Sequence, residues 1–204
     1  MTLKNRLTVL TMAVGIFLCM LDTTIMNIAL PAIQSSLHVS LSSLSWALNV
    51  YTITFAVFTI PLGRLSDQLG RHKVYVAGLA LFLLGSIASG TAANTTMLIA
   101  GRALQSLGAA IVFPASMTIG IASVTMAHRT PVVATLGLTQ ALAAALGPTL
   151  GGIVTQYLGW RWVFFMNVPL VIVALGLSLW LLPLKNESRT AAKIDVIGML
   201  LSMR

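Results

Sequence analysis

The 204-residue sequence is short of charge: 8% of its residues are charged against 57% hydrophobic, with a mean hydropathy of +0.95. A soluble globular domain carries about 25% charged residues, so the deficit is roughly threefold and excludes an ordinary water-facing surface. Cysteine is nearly absent too. Cys19 is the only one and lies within an apolar run, which excludes a disulfide framework and a cysteine-built metal cluster. No nucleophile–base set, metal cluster or phosphate-cradling loop stands out, so neither enzyme chemistry nor a cofactor is expected. The formal charge is +8, but the basic residues fall between the apolar runs, without a dense basic face or interleaved aromatics. That placement excludes nucleic acid as a partner.

What the chain has instead is apolar residues in blocks of about 20, the length that crosses a hydrocarbon core of about 30 Å. It therefore reads as an all-α polytopic membrane protein, with the lipid bilayer as its first partner. Six spans are expected at about 7–33, 44–62, 74–93, 96–120, 132–155 and 163–182. Lys4 and Arg6 precede the first run as they would in a signal peptide. The run is longer than a signal-peptide core and shows no clear small-residue cleavage site, so it reads as a retained span. The expected division is a six-span bundle over 1–182, a cytoplasmic linker over 183–193 and the start of a seventh span over 194–204, in a truncated or half-length chain.

Loop charge predicts orientation. One side collects Lys4, Arg6, Arg64, Arg71, Lys73, Arg129, Lys185, Arg189 and Lys193, and the other holds only Arg161. The excess of Lys and Arg places the N-terminus in the cytoplasm of a multi-pass protein. Trp160 and Trp162 then fit the outer aromatic belt. Pro61, Pro114, Pro148 and Pro169 fall within spans, where a membrane bundle can re-satisfy the freed backbone groups. Gly101, Gly108, Ala109, Gly147, Gly151 and Gly152 permit close helix approach.

Two charges lie inside predicted spans, Asp22 and Arg102. A charge at mid-membrane costs about 2.5–3.5 kcal/mol on insertion scales, so it faces a cavity, a partner or both. At 1.5 Å per residue, Asp22 sits roughly 22 Å above a start near Leu7, about 8 Å short of the outer boundary. Arg102 sits about 12 Å below a start near Asn94, so spans one and four are expected to bring the two together. Two readings follow. Asp22 is either a protonatable carboxylate in a water-accessible cavity, biased by a guanidinium that stays charged, or half of a static pair that stabilises the bundle. Arg102, Gln105 and Ala109 share one helix face. Gln105 either orients Arg102 or joins two helices. Asn27, Trp46, Tyr51 and Gln140 are candidates for a cavity that combines aromatic faces with one carboxylate.

The connection Gly63-Arg-Leu-Ser-Asp-Gln-Leu-Gly-Arg-His-Lys73 joins spans two and three. Gly63 and Gly70 permit a tight turn and close contact. Asp67, placed at a helix start, is expected to interact with the dipole and to pair with Arg71. Such a latch holds one of two bundle arrangements; the alternative is a loop made basic by topology alone.

This loop resembles the major facilitator signature G-x-L-A-D-x-x-G-R-K, with Ser66 in place of Ala and His72 before Lys73. The stretch from Arg102 to Ala110 resembles that superfamily's R-x-x-Q-G-x-G-x-A motif, with Ser106 in place of Gly. Leu146-Gly-Pro-Thr-Leu-Gly-Gly152 resembles the G-P-x-x-G-G part of its antiporter motif, with Ala143 in place of the leading Gly. Leu21-Asp-x-Thr-x-x-Asn-x-Ala-Leu-Pro31 is similar to the first-span signature of fourteen-span drug/proton antiporters, including quaternary-ammonium efflux pumps.

The resemblance implies the N-terminal bundle of a proton-driven exporter of lipophilic, often cationic drugs in the cell's inner membrane. The proton gradient is then the energy source. It implies cation recognition or protonation at Asp22, proton coupling at Arg102 and antiport-specific gating at Gly147, Pro148, Gly151 and Gly152. Gly63, Arg64, Asp67, Gly70, Arg71 and Lys73 become the inner-loop gate, latching against a missing C-terminal half. An envelope adaptor protein is a further candidate partner. The rival expectations are a facilitator or importer of a small metabolite, and a non-transporting half that needs its second half.

Overall fold

A computed structural model describes residues 1–182, so the expected linker and seventh-span start lie outside the described residues. Every regular element is helical: α1 (Leu3–Leu37), α2 (Leu41–Leu69), α3 (Arg71–Gly90), α4 (Thr95–Ala122), α5 (Met126–Tyr157), α6 (Trp162–Phe165) and α7 (Asn167–Leu181). Six stretches are long and apolar enough to cross a membrane, the sixth running from Trp162 to Leu181 through α6 and α7. The helices overrun the apolar runs at several ends. The reason is local. Thr2, Ser40 and Asn94 accept hydrogen bonds from the backbone N–H groups of Asn5, Ser43 and Met97, so α1, α2 and α4 begin at side-chain caps rather than at the first apolar residue. Gly70, at φ 107°, turns the chain between α2 and α3 in a conformation that side chains disfavour.

α1 and α4 form the middle of the bundle, and α3 and α7 pack against them. α2 leans on α4, and α5 leans on α1. With no hydrophobic drive between helices in lipid, close approach has to come from small residues. At the α3–α4 contact a Cβ on Gly85 would collide with the backbone of Gln105, and one on Gly101 would lie 2.7 Å from Ser89 Oγ. At the α1–α5 contact a Cβ on Gly147 would collide with the Thr24 side chain, and one on Gly151 would lie 2.8 Å from Ile25. The expectation for Gly152 is corrected. A Cβ there would meet Ile28 at an ordinary 4.0 Å, because Gly152 sits one residue round the helix from the contact stripe.

The tryptophans divide. Trp162 is exposed, as a belt residue would be. Trp160 is buried, with the Arg161 guanidinium 4.3 Å from its ring centre and Phe164 edge-on at 6.2 Å. Its role is packing, which corrects the belt expectation, because the turn before α6 folds it inward.

Candidate functional site: a buried carboxylate–guanidinium cluster

Asp22 on α1 and Arg102 on α4 meet. Arg102 Nη1 donates to Asp22 Oδ2 at 2.5 Å, and the two residues are 1% and 0% exposed, respectively. The same Nη1 donates to Gln105 Oε1 at 2.8 Å. Gln105 Nε2 then donates to Asp22 Oδ1 and to Ser86 Oγ, both at 2.8 Å. Gln105 thus does both things that the spacing left open: it orients Arg102 and it ties α4 to α1 and α3. A third donor to the carboxylate is Asn167 Nδ2, 3.1 Å from Oδ1, at the start of α7.

Aromatic rings close the cluster. The Tyr51 ring lies under the guanidinium, 4.0 Å from Cζ to the ring centre, and Phe164 stands at 5.8 Å. A desolvated cation–π contact of this kind contributes about 2 kcal/mol. Ser106 Oγ donates to the Tyr51 carbonyl at 2.6 Å, and the Tyr51 hydroxyl donates to the Cys19 carbonyl at 3.5 Å, so Tyr51 is held from α4 and α1. Arg102 Nε is buried without a hydrogen-bond partner. A charge pair this dry is weak evidence for stability, because desolvation offsets most of its attraction. It is better suited to holding one charge state until the surroundings change.

The expected water-accessible cavity is not found at Asp22 in this arrangement. The Asp22 side chain is fully buried, with Asn167 on its carboxylate and the Tyr51 and Phe164 rings beside its partner Arg102. Two cavities lie at the basic end of the bundle. One of about 320 Å³ is lined by Arg71, Met117, Ile121 and Arg129, and one of about 250 Å³ by Lys4, Thr8, His72 and Ser123.

Of the candidate cavity residues, Tyr51 and Gln105 join the cluster. Asn27 and Trp46 are exposed, Trp46 at 59%, and stand outside the cluster's hydrogen bonds. Each stands five residues from a cluster member, which is about 140° round a helix. Gln140 is half-buried on α5, away from the cluster's hydrogen bonds. Ser86 and Asn167 were not singled out in the sequence, although an amide in the otherwise apolar sixth span is the signal that would have found Asn167.

In the inner connection, Arg71 Nε donates to Asp67 Oδ1 at 2.6 Å. The placement of Asp67 is corrected. It lies in the last turn of α2, because the helix breaks after Leu69, and Arg71 opens α3. Each charge therefore sits at the helix end that disfavours it, and pairing offsets both penalties. Arg64 and Lys73 are exposed, and a Cβ on Gly63 would meet nothing within 4 Å, so Gly63 makes no close contact here. Gly147 and Gly151 seat α5 against α1 two and three residues past Asp22, while Pro148 points away and is exposed.

The Major Facilitator Superfamily family model matches residues 12–195. Similar proteins include the methylenomycin A resistance protein of Bacillus subtilis, 35% identical over 94% of this chain and 41% of that protein. The tetracenomycin C resistance and export protein of Streptomyces glaucescens is 35% identical over 95% of this chain and 36% of its own length. The multidrug resistance protein Stp of Mycobacterium tuberculosis is 36% identical over 98% of this chain and 37% of its own length. The chain thus spans well under half the length of these relatives. Six apolar helices around a buried charge pair, together with the match from residue 12 to 195, make this chain a multi-pass membrane protein that belongs to the major facilitator superfamily.

Proposed function

We propose that this chain forms the N-terminal bundle of a proton-coupled exporter of lipophilic, often cationic compounds, working by alternating access. The observation that carries the reading is Asp22 held dry against Arg102 by three donors from two other helices. A carboxylate that loses this cage when the bundle opens takes up a proton. One that regains it gives the proton back. Moving a unit charge through 100 mV is worth about 2.3 kcal/mol, so exchange at Asp22 on alternate sides drives export. Drug-resistance and export names among the relatives support the substrate class.

In this reading Asp22 exchanges the proton or recognises the cation, Arg102 returns Asp22 to its charged state, and Tyr51 and Gln105 hold Arg102 in place. The α5 glycines keep Asp22's helix seated, and the Asp67–Arg71 pair latches the inner end against a second half of the transporter. The bundle sits in the inner membrane with its N-terminus in the cytoplasm, and an envelope adaptor is a further partner.

Asp22→Asn keeps the side-chain shape and an acceptor for Arg102 but removes the exchangeable charge. Proton-driven dye export per inserted molecule is expected to fall at least tenfold, with membrane abundance followed on the same cells. Unchanged coupled export would refute the reading.

A further inference from the structure

Two of the donors that cage Asp22 come from α4, within the pair that the sequence anticipates. The third does not. Asn167 is 1% exposed and lies in the sixth span, where α6 runs on into α7 through Met166 in helical conformation (φ −63°, ψ −23°). Its Nδ2 reaches Asp22 Oδ1 at 3.1 Å, while Phe164, three residues earlier in the same span, stands 5.8 Å from the Arg102 guanidinium. This turn of the sixth span therefore touches both members of the pair, an amide on the carboxylate and a ring beside the guanidinium.

We propose that Asn167 is a positioning residue for proton exchange at Asp22: its amide stabilises the ionised carboxylate and ties the sixth span to that charge state. The inference rests on the proposed role of Asp22. An N–H donated to a carboxylate is charge-assisted and about twice as strong as one donated to a neutral acid. Protonation of Asp22 by solvent therefore weakens three donor contacts together, and Asn167 is the donor among them that comes from the sixth span. Loss of the Asn167 donor shifts the balance toward the neutral acid.

The other charged or titratable groups facing Asp22 are Arg102 from α4, Tyr51 from α2 and Cys19 one turn away on α1. α3 contributes the neutral Ser86 through Gln105, and α5 meets α1 there through Gly147 and Gly151.

The test needs no known substrate. Infrared titration of the purified full-length protein follows the carboxylic-acid band, assigned to Asp22 by its loss in Asp22→Asn. Asn167→Leu matches the amide in size without a donor, Asn167→Ala deletes it without added bulk, and Asn167→Gln retains the donor. The titration midpoint is expected to rise by about one pH unit, a tenfold change in proton affinity, in the Leu and Ala variants. It is expected to return most of the way in Asn167→Gln. A merely structural role would lower thermal stability and leave the midpoint in place. Midpoints unchanged in both donor-less variants would overturn the inference while leaving Asp22's role intact. A wild-type protein with no titrating Asp22 band would instead overturn the proposed function itself.

Discussion

At the scale of single residues, the energetics of the cluster turn on pairing. Removing one partner of a buried ion pair leaves the other charge uncompensated and costs about 3–5 kcal/mol, whereas replacing both with apolar groups is close to neutral. Arg102→Leu is therefore expected to lower unfolding free energy in detergent by about 3–5 kcal/mol, and adding Asp22→Leu to recover most of it. The double mutant, though stable, should export nothing. A coupling energy near zero in that cycle would mean that the pair observed at 2.5 Å contributes no interaction of its own. Asp22 and Arg102 were legible in the sequence because a charge in an apolar run is expensive, and Gln105 because three residues on a helix return to one face. Asn167 and Ser86 were not, since neutral polar residues cost far less in a membrane helix and leave a fainter mark.

At the scale of the helices, the α1–α5 seam is set by two glycines four residues apart. Gly147→Ala would drive a methyl group into Thr24, and Gly151→Ala would place one 2.8 Å from Ile25. Both are expected to cost about 1–3 kcal/mol through overpacking beside Asp22. Gly152→Ala, with its nearest neighbour at 4.0 Å, is expected to change stability by less than about 0.5 kcal/mol. Thermal denaturation of the three purified variants checks the order. Equal losses at all three positions would mean that the seam does not run through Gly147 and Gly151. The sequence showed a glycine-rich α5, but not which of its glycines face α1, since that depends on the rotation of one helix against another. The Asp67–Arg71 pair belongs to this scale too. Its side chains are 46% and 40% exposed, so its contribution to stability is small, about 0–1 kcal/mol, and any importance it has lies in gating.

At the scale of the whole molecule, six spans carry basic residues at one end and almost none at the other. Cys19, the single cysteine, is 1% exposed, so the native protein is expected to resist an impermeant maleimide. A cysteine introduced at the exposed Ala93 should label in intact cells, and one at the exposed Lys73 only after the membrane is opened. The opposite pattern would invert the proposed orientation. Large apolar side chains stay exposed along α2 and α5, among them Trp46, Ile53, Leu138 and Leu142.

Some of this protein was determined by its sequence alone. The scarcity of charge and the blocks of about 20 apolar residues require membrane-crossing helices, because only a helix satisfies its own backbone in hydrocarbon. The same scarcity made Asp22 and Arg102 conspicuous, and a count of 1.5 Å per residue put them at matching depth. Depth along a helix is a one-dimensional quantity, which a sequence contains. The direction in which a side chain points is not, because it depends on how neighbouring helices are rotated and seated. Only the tertiary structure therefore decided that Tyr51 faces the cluster while Trp46 and Asn27 do not. It also decided that the carboxylate is shut away from water, and that its third donor comes from Asn167, 145 residues further along the chain.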